Sequence, residues 1–382
     1  MIHYNIYESI DKVPMGWNNL VEHNVLLQTN YLKALEIASP KNISLFYIGV
    51  FKDDTLVGIA IVQRVQLYLK DMFRNTQVSC LKTFLKQTIS KLLKGNILVV
   101  GNLTHTGQHG IYFNINKISK TDFYSCVFQG VSEVEKRIKN NGGKIRLILL
   151  KDFFEDDIML DDSLFLNEKL HRVIVQPNMI MNVRDVWGCN EDYVNCMKKK
   201  YRTRYKRAKK KRNGIVCEEM DLDAIEANSQ LLHNLYLNVS DNATFNTFIL
   251  PKNHFFIYKR HLKDNFRVFG YYLDDELVGF FTLILNNKHL ETYFLGYNTK
   301  HQQANQLYLN MLYEMAKFGI EHHFESIVYA RTAMEIKSSV GAKPKAMVMY
   351  LKHTNFVLNT ILKQIFRFMN PSKDWVERHP FS

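Results

Sequence analysis

The stretch FYIGVFKDDTLVGIAIVQRV, beginning at Phe46, and the stretch RVFGYYLDDELVGFFTLIL, beginning at Arg267, share one plan. Each is a β-rich run, a pair of aspartates, and a second apolar run opening with Leu-Val-Gly. The aspartate pairs Asp53-Asp54 and Asp274-Asp275 lie 221 residues apart. Two turn-forming residues between β-rich runs predict a hairpin. The segments after the two hairpins are alike as well. The first hairpin leads to the strand NILVVGNL (96–103), the loop THTGQHG, a helix over about 120–141 and the strand KIRLILL (144–150). The second leads to the strand HLETYFLGY (289–297), the polar loop NTKHQQ, a helix over about 304–322 and the strand SIVYA. The same order met twice predicts two copies of one α/β unit, each a mixed central sheet flanked by helices. Their bounds are placed at 1–168 and 169–382, the first with an amphipathic helical insert over about 66–95.

The charge is as localised as the repeat. The chain carries a formal +13, and residues 198–212 hold eleven Lys or Arg with no acid. The remainder is nearly neutral, so the basicity is one feature and not a coat for nucleic acid. The run reads as part of a helix over 191–213. Asn190 serves as N-cap, Glu191 and Asp192 occupy the first turn, and Gly214 is the stop. The basic residues then crowd toward the C-terminal end, where the helix dipole favours them. Tyr193, Met197, Tyr201, Tyr205 and Ala208 recur at steps of four and three on one face. An aromatic stripe of this kind predicts a helix packed on a core. Its cationic side then faces a phosphate-bearing donor or substrate, with bare solvent, nucleic acid and anionic lipid as the other readings.

Several function classes are excluded by what is missing. Five cysteines without a CxxC pair speak against a disulfide framework or structural zinc. No run of about 18 apolar residues predicts a spanning helix, and the first residues lack the apolar core of a signal peptide. A cytoplasmic chain without an integral membrane segment is expected. No Walker loop, GxGxxG, HExxH or GxSxG occurs. His105 and His109 flank Gly107 in a loop with no third ligand signalled, so no metal is assigned. After a strand at 345–353, the run 355–369 is amphipathic, with Phe356, Ile361, Ile365 and Phe368 in its apolar set. It closes the second domain, either docked on it or in peripheral contact with a bilayer surface.

Three segments offer candidate site residues. The turn GYNTKHQQAN (296–305) joins a strand to a helix start, where free backbone N–H groups bind pyrophosphate; an ordinary βα turn is the other reading. The loop GNLTHTGQHG (101–110) is rich in Gly and polar side chains, among them Asn102, Thr106, Gln108 and His109, and reads as an acceptor-side pocket or a plain surface loop. YARTAMEIKSSVG brings Arg331, Thr332 and Lys337 to a strand end and helix start, where the cations pair with phosphate or carboxylate, or with solvent.

The Lys/Arg-rich helix KKKYRTRYKRAKKKRNGI followed by a strand resembles the element that opens the second domain of the Fem-type peptidyltransferases and their FemAB-like GNAT relatives. The hairpin YYLDDELVGFFTLIL, the strand end LGYN, the helix QANQLYLNMLYEMAKFGIE and IVYARTAMEIKSSVGAKP follow in that family's order. The resemblance implies two tandem GNAT-like domains and acyl transfer to an amine by direct attack. It implies acyl-CoA as co-substrate, with no permanently bound cofactor. An aminoacyl-tRNA donor acting on a cell-wall precursor, or a non-catalytic binding protein on the same scaffold, are the alternatives. The acceptor implied is an amine-bearing small molecule or envelope precursor, in envelope, lipid or polysaccharide biosynthesis. By position, Asn298, Gln303, Asn305, Arg331, Thr332, Arg204 and Arg207 would hold the donor. Glu291 would accept a proton through water, and Tyr297 would donate to the leaving group. Glu335 and Lys337 would offer polar groups to the donor. The family's glycine loop is degenerate here, and the long coiled-coil arm of some Fem proteins has no counterpart in 191–213.

Overall fold

A computed structural model describes residues 1–67, 95–241, 247–369 and 375–381, with the backbone alone for 363–369. The helical insert expected at 66–95 therefore lies, for 68–94, outside the described residues. The chain forms two compact units. The first is drawn from Met1–Val175, Ala243–Ile249 and Ala346–Ser372; the second from Gln176–Asn242, Leu250–Lys345 and Lys373–Ser382.

In the first unit the order is β1 (Ile2–Tyr7), α1 (Trp17–Leu20), α2 (Thr29–Ile37), β2 (Ile43–Lys52), β3 (Thr55–Leu67), β4 (Gly95–Val100), β5 (Ile111–Phe113), α3 (Lys120–Asn140), β6 (Ile145–Phe154) and α4 (Asp162–Asn167). The strand β7 (His171–Asn182) leads into the second unit. There follow α5 (Asn190–Asn195), α6 (Lys199–Lys211), β8 (Val216–Glu219), α7 (Leu222–Ala227), α8 (Ser229–Ser240) and α9 (His254–Leu262). Next come β9 (Phe266–Leu273), β10 (Glu276–Asn286), β11 (His289–Tyr297), α10 (Thr299–Asn305), α11 (Leu307–Glu321), β12 (Ser326–Val328) and α12 (Met334–Ser338). The strand β13 (Lys343–His353) and helix α13 (Phe356–Met369) complete the order. The strand order is β1-β2-β3-β4-β6-β13 in the first unit, with β5 also on β3, and β7-β12-β11-β10-β9-β8 in the second.

The repeat is present down to single backbone bonds. Both hairpins turn on two aspartates with positive φ: Asp53 (48°) and Asp54 (61°), Asp274 (49°) and Asp275 (63°). That is the type I′ turn, whose twist matches that of paired strands. Each return strand then bulges at its valine. Val57 is the extra residue between Leu56, opposite Phe51, and Gly58, opposite Val50. Val278 sits likewise between Leu277, opposite Tyr272, and Gly279, opposite Tyr271. The bulged carbonyls accept from the amides of Asn114 (2.9 Å) and Asn298 (2.8 Å). Each asparagine side chain in turn accepts from the N–H two residues on, that of Asn116 or Lys300. In both units a parallel strand pair follows, β4 with β6 and β11 with β12.

The copies diverge beside that module. β11 runs unbroken to Tyr297, whereas the first unit interrupts the same line between β4 and β5 with an excursion, 101–110. Its neck is one residue of β3 wide: Gly101 N donates to Ile61 O, and Ile61 N donates to Gly110 O. The strand expected to continue to 103 thus ends at Val100. At the neck two glycines touch, and a Cβ on Gly110 would lie 2.2 Å from Gly101 Cα.

Three expectations are corrected. The helix expected over 191–213 is two helices, α5 and α6, and the N-cap is Cys189, not Asn190. The apolar stripe survives the break, with Tyr193, Met197, Tyr201 and Ala208 buried in one cluster with Met311, Leu312 and Tyr313 and with Tyr205 packed against it. The helix expected over 304–322 is α11, but the polar loop expected before it, 298–303, is mostly helix α10, divided from α11 at Gln306 with φ 49°. Finally, β13 from Ala346 onward and α13 belong to the first unit, not the second. β13 pairs antiparallel with β6, Tyr350 opposite Leu150. α13 docks on the first unit: Asn359 accepts from His353 N and donates to Lys169 O, and Leu362 is buried beside Leu351. Phe356 and Val357 stand exposed. Among the described residues no helix is long and apolar enough to cross a membrane.

Replacing Gly110 with Ala forces backbone apart at the neck. We expect a loss of about 1–3 kcal/mol in unfolding free energy, read from urea midpoints. An unchanged midpoint would show that the neck yields freely.

Candidate functional site

The cationic helix divides its charge between two tasks. Toward its C-terminus, Lys209 (2.5 Å) and Arg212 (3.0 Å) both pair with Glu314 of α11. The Arg212 guanidinium also lies over the Tyr271 ring at 5.5 Å. The end of the helix is fastened further by two amides. Asn310 Nδ2 donates to Ala208 O (2.9 Å) and Asn305 Nδ2 to Lys211 O (3.2 Å). Near its start, Arg202 donates to Asn195 O, the end of α5.

Four of the remaining cations face a cavity of about 960 Å³ in the second unit. Lys199, Lys200, Tyr201, Thr203, Arg204 and Arg207 line it from α6. Gln302, Gln303, Gln306 and Leu309 line it from α10 and α11, and Ile336 and Arg378 complete the lining. Five of these side chains are cationic and none is a carboxylate. Because α6 starts at Lys199, two of the lysines sit in its first turn, where the helix dipole disfavours positive charge. The expectation that the whole basic run occupies a favourable C-terminal end is corrected by that break. An arrangement that opposes the dipole and packs five cations around one hollow suits a multiply charged anion.

Of the residues chosen on sequence, Arg204, Arg207 and Gln303 line this cavity. The turn 296–305 does not form a phosphate cradle. A Cβ on Gly296 would lie 2.4 Å from the Leu235 backbone, so this glycine serves helix–strand packing. Asn298 caps α10 with its own side chain, and Asn305 is buried on the end of α6. Tyr297 is half-buried on β11, and burial pushes its phenol up, which keeps it protonated. Glu291 is buried on the same strand, opposite Val328 of β12.

The loop after β12 is strained. Ala330 (57°), Thr332 (64°) and Ala333 (47°) all have positive φ without being glycine, a conformation stored at functional sites. Lys337 holds it. Its buried Nζ donates to Ala330 O (3.2 Å) and to Arg331 O. Burial lowers its pKa to about 7, and a neutral amine still has the two protons these bonds need. Lys337 is thus placed under the loop rather than in the cavity. Arg331, Thr332 and Glu335 are not among the lining residues. Glu335 instead pairs with Arg378.

In the first unit, the excursion is pinned to a bulge in β6. Lys151 Nζ donates to His105 O (2.8 Å) and pairs with Asp152, whose Oδ2 accepts from Gly107 N (3.1 Å). Asp152 has φ 62° and is fully buried. Burial first, and then the Lys151 ammonium, pull the His105 pKa down to about 3. Asn102 is buried and fully engaged: it donates to the Tyr31 hydroxyl and accepts from Gln63 and Thr104. His109 Nδ1 lies 3.2 Å from Asn24 Nδ2. Thr106 and Gln108 are half-buried on the same loop.

No protein-family model and no curated protein matches this sequence. Solved structures do. FemX aligns over 95% of this chain and 99% of its own at TM-score 0.55 and 11% identity. A tandem GNAT protein from the clavulanic acid biosynthesis pathway aligns over 93% and 99% at TM-score 0.52 and 8% identity. The fold is that of the tandem GNAT proteins. The fold class expected from the repeat, tandem α/β units, is the observed one, while the bounds of the units differ as described above. The signal for the missed Arg378 was slight: one basic residue in the tail WVERHPF.

The lysine under the loop makes stability depend on pH. The unfolded lysine, at its ordinary value of 10.5, binds a proton that the folded one releases from about 7. Stability therefore rises with pH between these values. In Lys337→Met that rise should shrink, as read from the difference in urea midpoints between pH 7 and pH 9.5. Equal rises in both proteins would remove Lys337 as the cause.

Proposed function

We propose that this protein is an N-acyltransferase whose second unit holds the phosphate-bearing part of an acyl donor, with acyl-CoA as co-substrate. The observation that carries the reading is the cavity lined by Lys199, Lys200, Arg204, Arg207 and Arg378 without a carboxylate. Side-chain cations bind phosphate as point charges or forks, which replaces the backbone cradle that the packed and capped turn 296–305 lacks. The acceptor is an amine. Its nitrogen lone pair forms the new C–N bond as the C–S bond of the thioester breaks. The amine proton leaves to a base, and the thiolate takes a proton from an acid. Tyr297, held protonated, is the candidate acid; Glu291, six residues back on the same extended strand and so about 20 Å away, is too far to serve the same carbonyl, and no base is assigned. No enzyme nucleophile is required.

An aminoacyl-tRNA donor is the second reading, favoured by the missing backbone cradle and by the seating of cations on the helix surface. The two differ in salt dependence, because many phosphate contacts give a steep slope.

Purified protein incubated with a panel of acyl-CoAs and amines should release free thiol. In Arg204→Ala/Arg207→Ala, CoA affinity measured by calorimetry should fall by about 10-fold or more, at about 1 kcal/mol or more for each charge-assisted contact. Tight, strongly salt-dependent tRNA retention without CoA binding would transfer the assignment to the second reading. Absence of both would sink the anionic-donor reading altogether.

A further inference from the structure

The tail 375–381 is a strap across the second unit. Pro380 O accepts from Lys198 N at 2.8 Å, and Phe381 bridges to Met197. The Phe381 ring packs against Trp187 (4.9 Å) and Tyr193 (5.6 Å), with the Arg184 guanidinium 4.8 Å above it. A Cβ on Gly341 would lie 2.6 Å from that ring, so the backbone there is shaped to receive it. Between these anchors and α12, Arg378 N donates to Ser338 Oγ at 2.9 Å. The strap thus ties the start of α6 to α12 and presents Arg378 to the cavity. Among the lining cations it alone comes from outside α6. Its guanidinium is bonded to Glu335, in a pair whose side chains are 36% and 50% exposed.

We infer that Arg378 is an anion-binding residue of the cavity, and that Glu335 is an internal competitor that sets its affinity. The inference rests on the phosphate-site reading above. The strap backbone on either side of Arg378 is fixed by the Ser338 and Pro380 bonds, so the side chain remains rooted at the cavity whether or not the carboxylate holds its guanidinium. A half-exposed ion pair is weak in water, whereas a phosphate beside four further cations offers more charge and a bidentate edge. The ligand therefore takes the guanidinium from Glu335. Glu335 touches the ligand only through this exchange, so it is a positioning residue.

The test is calorimetric titration of the full chain with inorganic pyrophosphate at low salt. Glu335→Gln should tighten binding about threefold and Arg378→Met weaken it about fivefold, in line with exposed charge-pair strengths. In the Arg378→Met background, Glu335→Gln should change nothing. A gain in affinity cannot arise from misfolding, so the glutamine variant protects the test. The inference is overturned if Glu335→Gln binds no tighter, or gains equally without Arg378. Arg204→Ala/Arg207→Ala is the reference. If that variant loses binding while Arg378→Met binds as wild type, the cavity reading stands and this inference falls. If wild type takes up no pyrophosphate, or the reference variant binds unchanged, both fall.

Discussion

Glu314 accepting from both Lys209 and Arg212 is the interaction on which the charge distribution of the second unit depends. A helix with nine cations in thirteen residues repels itself, and like charges four apart weaken an isolated helix. It persists because its other face is sunk in the core and its last carbonyls are occupied by Asn305 and Asn310. The fastening is one-sided. It neutralises charge at the C-terminal end and leaves Lys199, Lys200, Arg204 and Arg207 unneutralised by any lining carboxylate. A uniformly basic stretch of sequence thereby becomes a polarised surface.

The parts of the fold that were legible in the sequence are those set by local backbone demands. A pair of aspartates between apolar runs has few structural solutions, and Leu-Val-Gly places the bulge and the glycine together after it. The helix breaks were less legible. Lys198 and Gln306 are ordinary helix formers, and only packing imposes β-like or left-handed geometry there. The membership of β13 was not legible at all. Its apolar run marks a strand, but side-chain alternation reports which face is buried and not which strand lies alongside. Pairing with β6 is a contact across some two hundred residues.

The same distinction governs the site. Arg204 and Arg207 were readable because charge density is a property of sequence alone. Asn102 and Asn305 misled because a polar residue in a loop looks available. In the structure their amides satisfy buried partners, Tyr31, Gln63 and Thr104 for one and a helix-terminal carbonyl for the other. Buried backbone groups must find partners, and short amide side chains supply them. Lys337 looked like a ligand-facing cation for a similar reason. Its chain length lets it reach under a strained loop, where two carbonyls wait.

The duplicated module shows where the two units agree and where they part. Both keep the I′ turn, the valine bulge and the asparagine that closes it. Those features fix where the next strand ends and where the following helix begins. Beyond them, the second unit invests its line in one continuous strand leading to α10 and the cationic cavity. The first unit breaks that line into a ten-residue excursion and fixes it with the buried pair Lys151–Asp152. Burying an ion pair is costly unless further hydrogen bonds complete it, and His105 O and Gly107 N do so here. Such a loop is built to hold one shape. Where the second unit runs one continuous strand toward its cationic cavity, the first unit instead presents a loop held rigid from within.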